Sequence, residues 1–335
     1  MNRDPVSETA YARAGLIGNP SDGYFGKTIA FTFSDFKATA TLTPSDRLII
    51  EHHVSDRNAY ENFKELVDDV NYAGYYGGIR LVNAAIKRFY QFVYERDGRE
   101  LSGNVSVRYE SNIPMRVGLA GSSAIIIALL RALRSYYSVE IPLAEAASLA
   151  LKVETEELGI PAGLQDRVAQ TYQGLVYMDF DREYMNDYGY GRYERLTPKT
   201  LPAFYIAYCK TMGEGTEVTH SDLRRRYNDG DRRVRSLLQK LAANTDRFRS
   251  ALELGDVASM NELIDMNFDI RSELVPIAPL YRELVYMARN CGASAKFTGS
   301  GGAIVGIADN ASYAAMQRTL APEQFGLLRP TIVYG

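Results

Sequence analysis

The chain has 335 residues, enough for two domains of ordinary size. Its 46% hydrophobic and 24% charged residues are ordinary for a soluble globular protein. A formal net charge of −3, with both signs mixed along the chain, argues against a dedicated binder of nucleic acid or of anionic membranes.

Residues 1–10 are polar, carry Asp4 and Glu8, and lack the apolar stretch of a signal peptide. Tyr11 to Ile17 reads as a strand. Lys27 to Phe33 and Lys37 to Leu42 read as a strand pair, with Ser34-Asp35 as a tight turn between them. Asn58 to Val70 and Gly78 to Glu95 read as helices, and Leu101 to Tyr109 alternates like a strand. Ser122 to Tyr137 is the clearest helix. Its run Ala124 to Leu130 is apolar all round and predicts burial, with Ser122 or Ser123 at the N-cap. Pro142 to Leu158 predicts another helix, with Gly159 past its end. Asp166 to Tyr172 gives a short helix that Asp166 could cap, and Gly174 to Phe180 a strand.

The tyrosine-rich, polar segment Asp181 to Pro202 reads as a linker between domains spanning 1–195 and 196–335. Beyond it, Ala203 to Cys209 predicts a strand, and long helices run from Gly215 to Asn290. Ala293 to Phe297, Ala303 to Ile307 and Thr331 to Tyr334 predict strands, with a helix over Tyr313 to Leu320. Irregular alternation with early antiparallel pairing predicts an α+β fold. No stretch of 18 apolar residues occurs. Two cysteines, Cys209 and Cys291, suit reduced thiols in a cytoplasmic protein, and the three histidines lack metal-ligand spacing. The one basic patch, Arg224-Arg225-Arg226 with Arg232, Arg233 and Arg235, is interrupted by Asp222, Asp229 and Asp231, as in a solvated helix face.

Three glycine-rich segments carry the chemistry. Pro114 to Ala124 places Gly118 and Gly121 before Ser122-Ser123 at the start of the buried helix. Glycine lets backbone approach a ligand, and the unpaired N–H groups and positive dipole of a helix start attract anions. Two hydroxyls there could bind phosphate or Mg²⁺. A serine-capped helix after a glycine turn would look the same. Lys296 to Ala303 holds Gly299, Gly301 and Gly302, more glycine than one turn needs, which suits either a hairpin or a backbone nest for a ligand. Arg13 to Asp22 puts Arg13 on a strand, on the face opposite Ala12, Ala14 and Leu16, with Asn19, Ser21 and Asp22 in the loop after it; an exposed strand arginine and a plain turn fit equally. Glu154, Glu156 and Glu157 crowd a helix C-terminus, where negative charge is unfavourable, so that a cation or simple solvation would relieve them.

In this order, over Arg13 to Gly302, the segments resemble the GHMP kinases, the family of galactokinase, homoserine kinase, mevalonate kinase and phosphomevalonate kinase. The phrases Gly15 to Asp22, Gly74 to Gly78, Gly118 to Ala124, Ala162 to Gln170 and Asn267 to Arg271 are similar to those of its glucuronokinase branch. One departure from the broad family is Gly118-Leu119-Ala120-Gly121-Ser122-Ser123, one residue longer than the usual G-L-G-S-S.

The resemblance implies a two-domain α+β fold with ATP in a cleft between domains, and transfer of its γ-phosphoryl to the anomeric hydroxyl of a sugar acid, D-glucuronate. It implies ATP contacts from Pro114, Gly118, Leu119, Ala120, Gly121, Ser122, Ser123, Ala124, Gly299 and Gly301. Ser122 or Ser123, with Glu154, would hold Mg²⁺, Glu156 and Glu157 being the other choices. Asp166 is implied as the base that takes the anomeric proton, and Arg13 as the cation that keeps Asp166 ionised. Asn19, Asp22, Tyr76, Arg271 and Gly302 are implied as substrate contacts, with Arg80, Arg116 and Arg167 as further candidates for a carboxylate. The partner is then a small sugar or sugar acid, not nucleic acid or membrane. A neutral hexose, heptose or galacturonate 1-kinase and a non-catalytic ATP-binding regulator are the other readings.

Overall fold

The computed structural model describes residues 4–51, 77–210 and 217–334. The expected helix over 58–70 and the substrate candidate Tyr76 lie outside these residues. The chain divides into two compact units, one of Met1–Ala10, Lys37–Asn112 and Ser122–Ala162, the other of Tyr11–Phe36, Ile113–Gly121 and Gly163–Gly335. The expected boundary at 195/196 falls inside the second unit.

In the first unit, the far half of strand β2 (Lys27–Ser45) pairs antiparallel with β4 (Asn104–Ser111), from Ala38 opposite Ser111 to Ser45 opposite Asn104. Short β3 (Ile49–Ile50) lies parallel to β4. Helices α1 (Gly78–Asp97), α2 (Gly121–Tyr137) and α3 (Leu143–Lys152) complete the unit. On α2, Ala124, Ile126, Ile127, Leu129, Leu130 and Leu133 are all buried, as the apolar run requires. Burying each large aliphatic side chain stabilises by about 1.5–3 kcal/mol. The helix expected over Pro142 to Leu158 is α3 followed by a π-turn, Val153–Glu157.

In the second unit, the near half of β2 pairs antiparallel with β5 (Leu175–Asp179), which pairs with β6 (Arg192–Leu196). Strand β1 (Val6–Ile17) also pairs with β2. A second sheet, order β10-β7-β9-β8, is built from β7 (Phe204–Cys209), β8 (Lys296–Phe297), β9 (Ala303–Ile307) and β10 (Phe325–Leu328). Helices α4 (Leu164–Tyr172), α5 (Arg182–Tyr188), α6 (Glu217–Asn228), α7 (Arg232–Leu254), α8 (Val257–Leu274), α9 (Pro279–Asn290) and α10 (Asn310–Thr319) surround the sheets. One core, including Tyr205, Phe268, Leu284, Phe297, Ile304 and Met316, joins the second sheet to α8, α9 and α10.

Three expectations need correction. Lys27 to Leu42 is one strand, not a hairpin. Ser34-Asp35 spends its turn-forming groups on the C-terminal segment: Ser34 N donates to Thr331 O (2.9 Å) and Thr331 N to Asp35 Oδ2 (3.0 Å). The final strand is Phe325–Leu328, and 331–334 contributes only the isolated bridge between Phe33 and Ile332. Asp181 to Pro202 is structured, as α5 and β6. Asp181 caps α5 by accepting from Tyr184 N, Gly189 ends it in the left-handed conformation, and Tyr193 on β6 packs against Tyr172 and Phe180. The basic patch is engaged locally: Arg225 pairs with Asp222, Arg226 with Asp231 and Arg233 with Glu273, and Arg224 stacks on Tyr24.

Candidate active site

Strand β1 ties the glycine segments together within the second unit. Arg13 N donates to Leu119 O (3.1 Å) and Gly15 N to Thr298 O (2.8 Å). Thr298 Oγ1 donates to Gly118 O (2.9 Å), joining the second segment to the third. The contact is so close that a Cβ on Gly299 would lie 2.7 Å from Gly118 O, so only glycine fits. Gly118 itself has φ +76°, in the left-handed region. Ala120 (φ 63°) accommodates the extra residue of this loop in the same region, and its carbonyl accepts from Gln170 Nε2 on α4 (2.9 Å).

Asp166 lies on the first turn of the same helix. It does not cap α4, whose N-cap is Gly163; it meets Arg13 instead. Arg13 Nη2 stands 2.6 Å from Asp166 Oδ1, with side-chain exposures of 3% and 24%. Arg13 is therefore buried, not on an exposed strand face. It also donates to Thr298 O and, at 3.3 Å, to Gly118 O. One guanidinium thus orients a carboxylate and both glycine loops. Burial pushes the Asp166 carboxyl up, but the charges of Arg13 and Arg167 outweigh it and hold the group below its ordinary value.

A second carboxylate, Asp22, sits on a 3₁₀ turn, Ser21–Tyr24. Its Oδ2 comes so near Gly163 that a Cβ there would meet it at 2.5 Å. Burial, then the negative charge of Asp166, push its carboxyl up to about 6 against the pull of Arg13. The two acids are thereby separated, the Asp166 carboxyl held below its ordinary value and the Asp22 carboxyl raised to about 6.

Sequence reasoning missed the groups that shape this loop. Asn267 on α8 clamps it, accepting from Gly18 N (2.6 Å) and donating to Asn19 O (3.2 Å). Lys296, fully buried on β8, donates to Gly15 O (2.6 Å), Asn19 Oδ1 (2.5 Å) and Phe297 O (2.7 Å). Burial and the like charges of Arg271 and Arg13 push its ammonium well below the usual lysine range. The available signal was a lysine inside the short strand expected over Ala293 to Phe297, since lysine is almost never fully buried without partners.

In the first unit, Ser122 Oγ donates to Glu154 Oε1 (3.2 Å), and Glu154 is only 2% exposed. Arg88 pairs with Glu156 (2.6 Å), and Lys87 with Glu157. The crowding of acids after α3 is thus relieved by α1, and the π-turn directs Glu154 to Ser122 instead. Ser123 is buried while Ser122 is exposed.

Among the arginine candidates, Arg80 and Arg116 are exposed. Arg167 is buried, donates to Gly163 O (2.9 Å) and lies 3.6 Å from Asp166 Oδ2. Arg271 is buried and donates to Gly299 O (2.7 Å) and Ser300 O (3.1 Å).

Two glycine loops in backbone contact, beside an arginine-held aspartate, suit a small-molecule phosphotransferase class of site. Known proteins agree with that class. The GHMP kinases N terminal domain matches residues 80–174 and the GHMP kinases C terminal domain residues 248–325. Glucuronokinase 1 of Arabidopsis thaliana is 39% identical over 306 residues, covering 90% of this chain and 84% of its own. Probable glucuronokinase 2 of the same plant is 42% identical over 303 residues, covering 88% and 82%. The chain belongs to the GHMP kinase family. Its fold matches Streptococcus pneumoniae phosphomevalonate kinase in complex with phosphomevalonate and AMPPNP, at TM-score 0.76, 16% identity and 98% and 100% coverage. It also matches Lactococcus lactis galactokinase complexed with galactose, at TM-score 0.73, 14% identity and 100% and 95% coverage.

Proposed function

We propose that this chain is an ATP-dependent sugar 1-kinase that phosphorylates the anomeric hydroxyl of D-glucuronate. The observation that carries the reading is the pair of buried Arg13 with part-exposed Asp166 at 2.6 Å, joined by the same guanidinium to both glycine loops. The likeness to two glucuronokinases over most of the chain supports the choice of sugar.

Phosphoryl transfer depends mainly on positioning and on electrostatic stabilisation of the moving group. Backbone and side chains of Pro114, Gly118, Leu119, Ala120, Gly121, Ser122, Ser123 and Ala124, with Gly299 and Gly301, hold the nucleotide phosphates. Asp166, kept ionised by Arg13, takes the anomeric proton as the hydroxyl attacks, a contribution of about 10²–10⁴-fold. Asn19, Asp22, Arg271 and Gly302 form the acceptor side, and the family resemblance adds Tyr76. The hydroxyl of Ser122 and the carboxylate of Glu154 are hard oxygen donors suited to Mg²⁺, with Ser123 as the neighbouring hydroxyl. When bound, the ion neutralises charge on the phosphate oxygens. A cytoplasmic location, and division of the chain into family domains at 195/196, belong to the same proposal.

The test is a phosphorylation panel on the purified chain with MgATP and D-glucuronate, D-galacturonate, D-glucose, D-galactose or a heptose. ADP release with an anomeric phosphate only on glucuronate supports the reading. Turnover of a neutral sugar with none on glucuronate replaces it by a neutral-sugar kinase. Nucleotide binding with no turnover of any sugar points to a regulator.

A further inference from the structure

The third glycine segment is held by three basic side chains. Its four successive carbonyls all accept from them: Phe297 O from Lys296, Thr298 O from Arg13, and Gly299 O and Ser300 O from Arg271. A carbonyl and the N–H of the next residue share one planar trans unit and point in opposite directions. Fixing the carbonyls of 298, 299 and 300 toward the cations therefore turns the N–H groups of Gly299, Ser300 and Gly301 away from them. Among the described residues these three amides donate to no acceptor. Gly299 and Ser300 are open to solvent to differing degrees, and Ser300 N lies toward Gly118, at 3.3 Å from where its Cβ would be.

Arg271, placed above on the acceptor side, makes contacts that a role in binding the sugar does not explain. It stands on α8, is 4% exposed, lies over the Phe297 ring at 5.2 Å and is reached by the charge of Asp22 without an ion pair to any carboxylate among the described residues, and its buried Nε has no acceptor. A buried charge without a directly paired counter-ion is costly unless its surroundings compensate. Its guanidinium fork spans two consecutive carbonyls, a geometry that lysine cannot reproduce. Each carbonyl it holds is polarised, which makes the amide at the other end of that peptide a better donor.

We propose that Arg271 is a positioning residue that sets the amides of Gly299, Ser300 and Gly301 as an anion nest for the phosphoryl group in transfer. The inference rests on the kinase reading of the site. Toward the phosphoryl group Arg271 acts through the loop and not by contact, and Lys296 and Arg13 hold the preceding two carbonyls. The nest favours the anion most where charge spreads over the equatorial oxygens of the moving group.

The test uses the full-length chain, ADP and beryllium fluoride, a mimic of the γ-phosphoryl that needs no sugar. Arg271→Met and Arg271→Lys are compared with wild type for ADP affinity with and without beryllium fluoride. Wild type should bind ADP more tightly with the fluoride, and Arg271→Met should lose about tenfold or more of that gain while affinity for ADP alone stays within about threefold. Arg271→Lys should recover part of the gain, because charge returns without the fork. An equal gain in wild type and both variants overturns the proposal, as does loss of affinity for ADP alone by the same factor, which marks a purely structural role. If Arg271→Met does not fold, the Arg271→Lys comparison decides. Failure of wild type to phosphorylate glucuronate would overturn the substrate assignment and leave this binding result standing.

Discussion

Gly118 and Gly299 touch backbone to backbone: a Cβ on Gly299 would stand 2.7 Å from Gly118 O and 3.1 Å from Gly118 Cα. These residues lie 181 positions apart in the chain, and their contact puts the second and third glycine segments in one place. Replacing Gly299 by alanine should therefore push the loops apart without disturbing the core. A displacement of about 1 Å in a phosphoryl-transfer site costs about 10²-fold in rate. Gly299→Ala should lower kcat by about that factor with an unchanged far-ultraviolet dichroism spectrum. Gly118→Ala should behave alike, since its φ of +76° adds about 1 kcal/mol of backbone strain.

Asp166 and Arg13 should be separable by kinetics. Asp166→Asn removes the proton acceptor and should lower kcat by about 10²–10⁴-fold while ATP affinity stays nearly intact. Arg13→Lys keeps a charge but cannot serve Asp166, Thr298 O and Gly118 O at once, and should lower kcat as well. Steady-state rates and nucleotide titrations of the two variants check both expectations.

Asp22 predicts opposite effects on function and stability. Its carboxyl titrates near 6 in the folded chain because of burial and of Asp166, against 3.8 ordinarily. Between those values the folded protein holds a proton that the unfolded chain releases. The stability this group contributes is full below about pH 4 and is lost as pH rises through about 6. Asp22→Asn should be about 1–3 kcal/mol more stable than wild type at pH 7, the lower end reflecting its partial exposure, and the gap should close toward pH 4. The same substitution should weaken sugar binding and remove a fall in kcat/KM below about pH 6. Thermal melts and pH–rate profiles measure the two effects.

Ser122 and Glu154 predict a metal phenotype. Ser122→Ala and Glu154→Gln should each raise the Mg²⁺ concentration for half-maximal activity several-fold. Glu156→Gln and Glu157→Gln should not, because Arg88 and Lys87 already occupy those carboxylates. A Mg²⁺ titration at saturating ATP distinguishes the pairs.

Much of the fold was legible where one physical signal dominated. The apolar run Ala124 to Leu130 announced a buried helix, and the threonine-rich alternation of β2 announced a strand. The turn expected at Ser34-Asp35 was not there because its partner is Thr331, nearly 300 residues away, which local propensity cannot report. The linker reading of 181–202 failed because α5 buries no residue and β6 is largely polar, so neither shows periodicity; the Asp181 and Gly189 caps were the legible clue. In the site, glycines and acids were visible as residue types. Lys296 and Asn267 were not, because their roles are to satisfy backbone groups of a distant loop, and that demand exists only after folding.

The central claim is tested most directly by following the phosphorus itself. The purified chain is incubated with MgATP and D-glucuronate, and the products are read by ³¹P NMR, alongside Asp166→Asn at matched nucleotide occupancy. The account predicts ADP and a sugar phosphate bonded at the anomeric carbon in equal amounts from wild type, and almost none from the variant. Anomeric phosphate forming at the wild-type rate in Asp166→Asn, or on a neutral hexose and not on glucuronate, would contradict it.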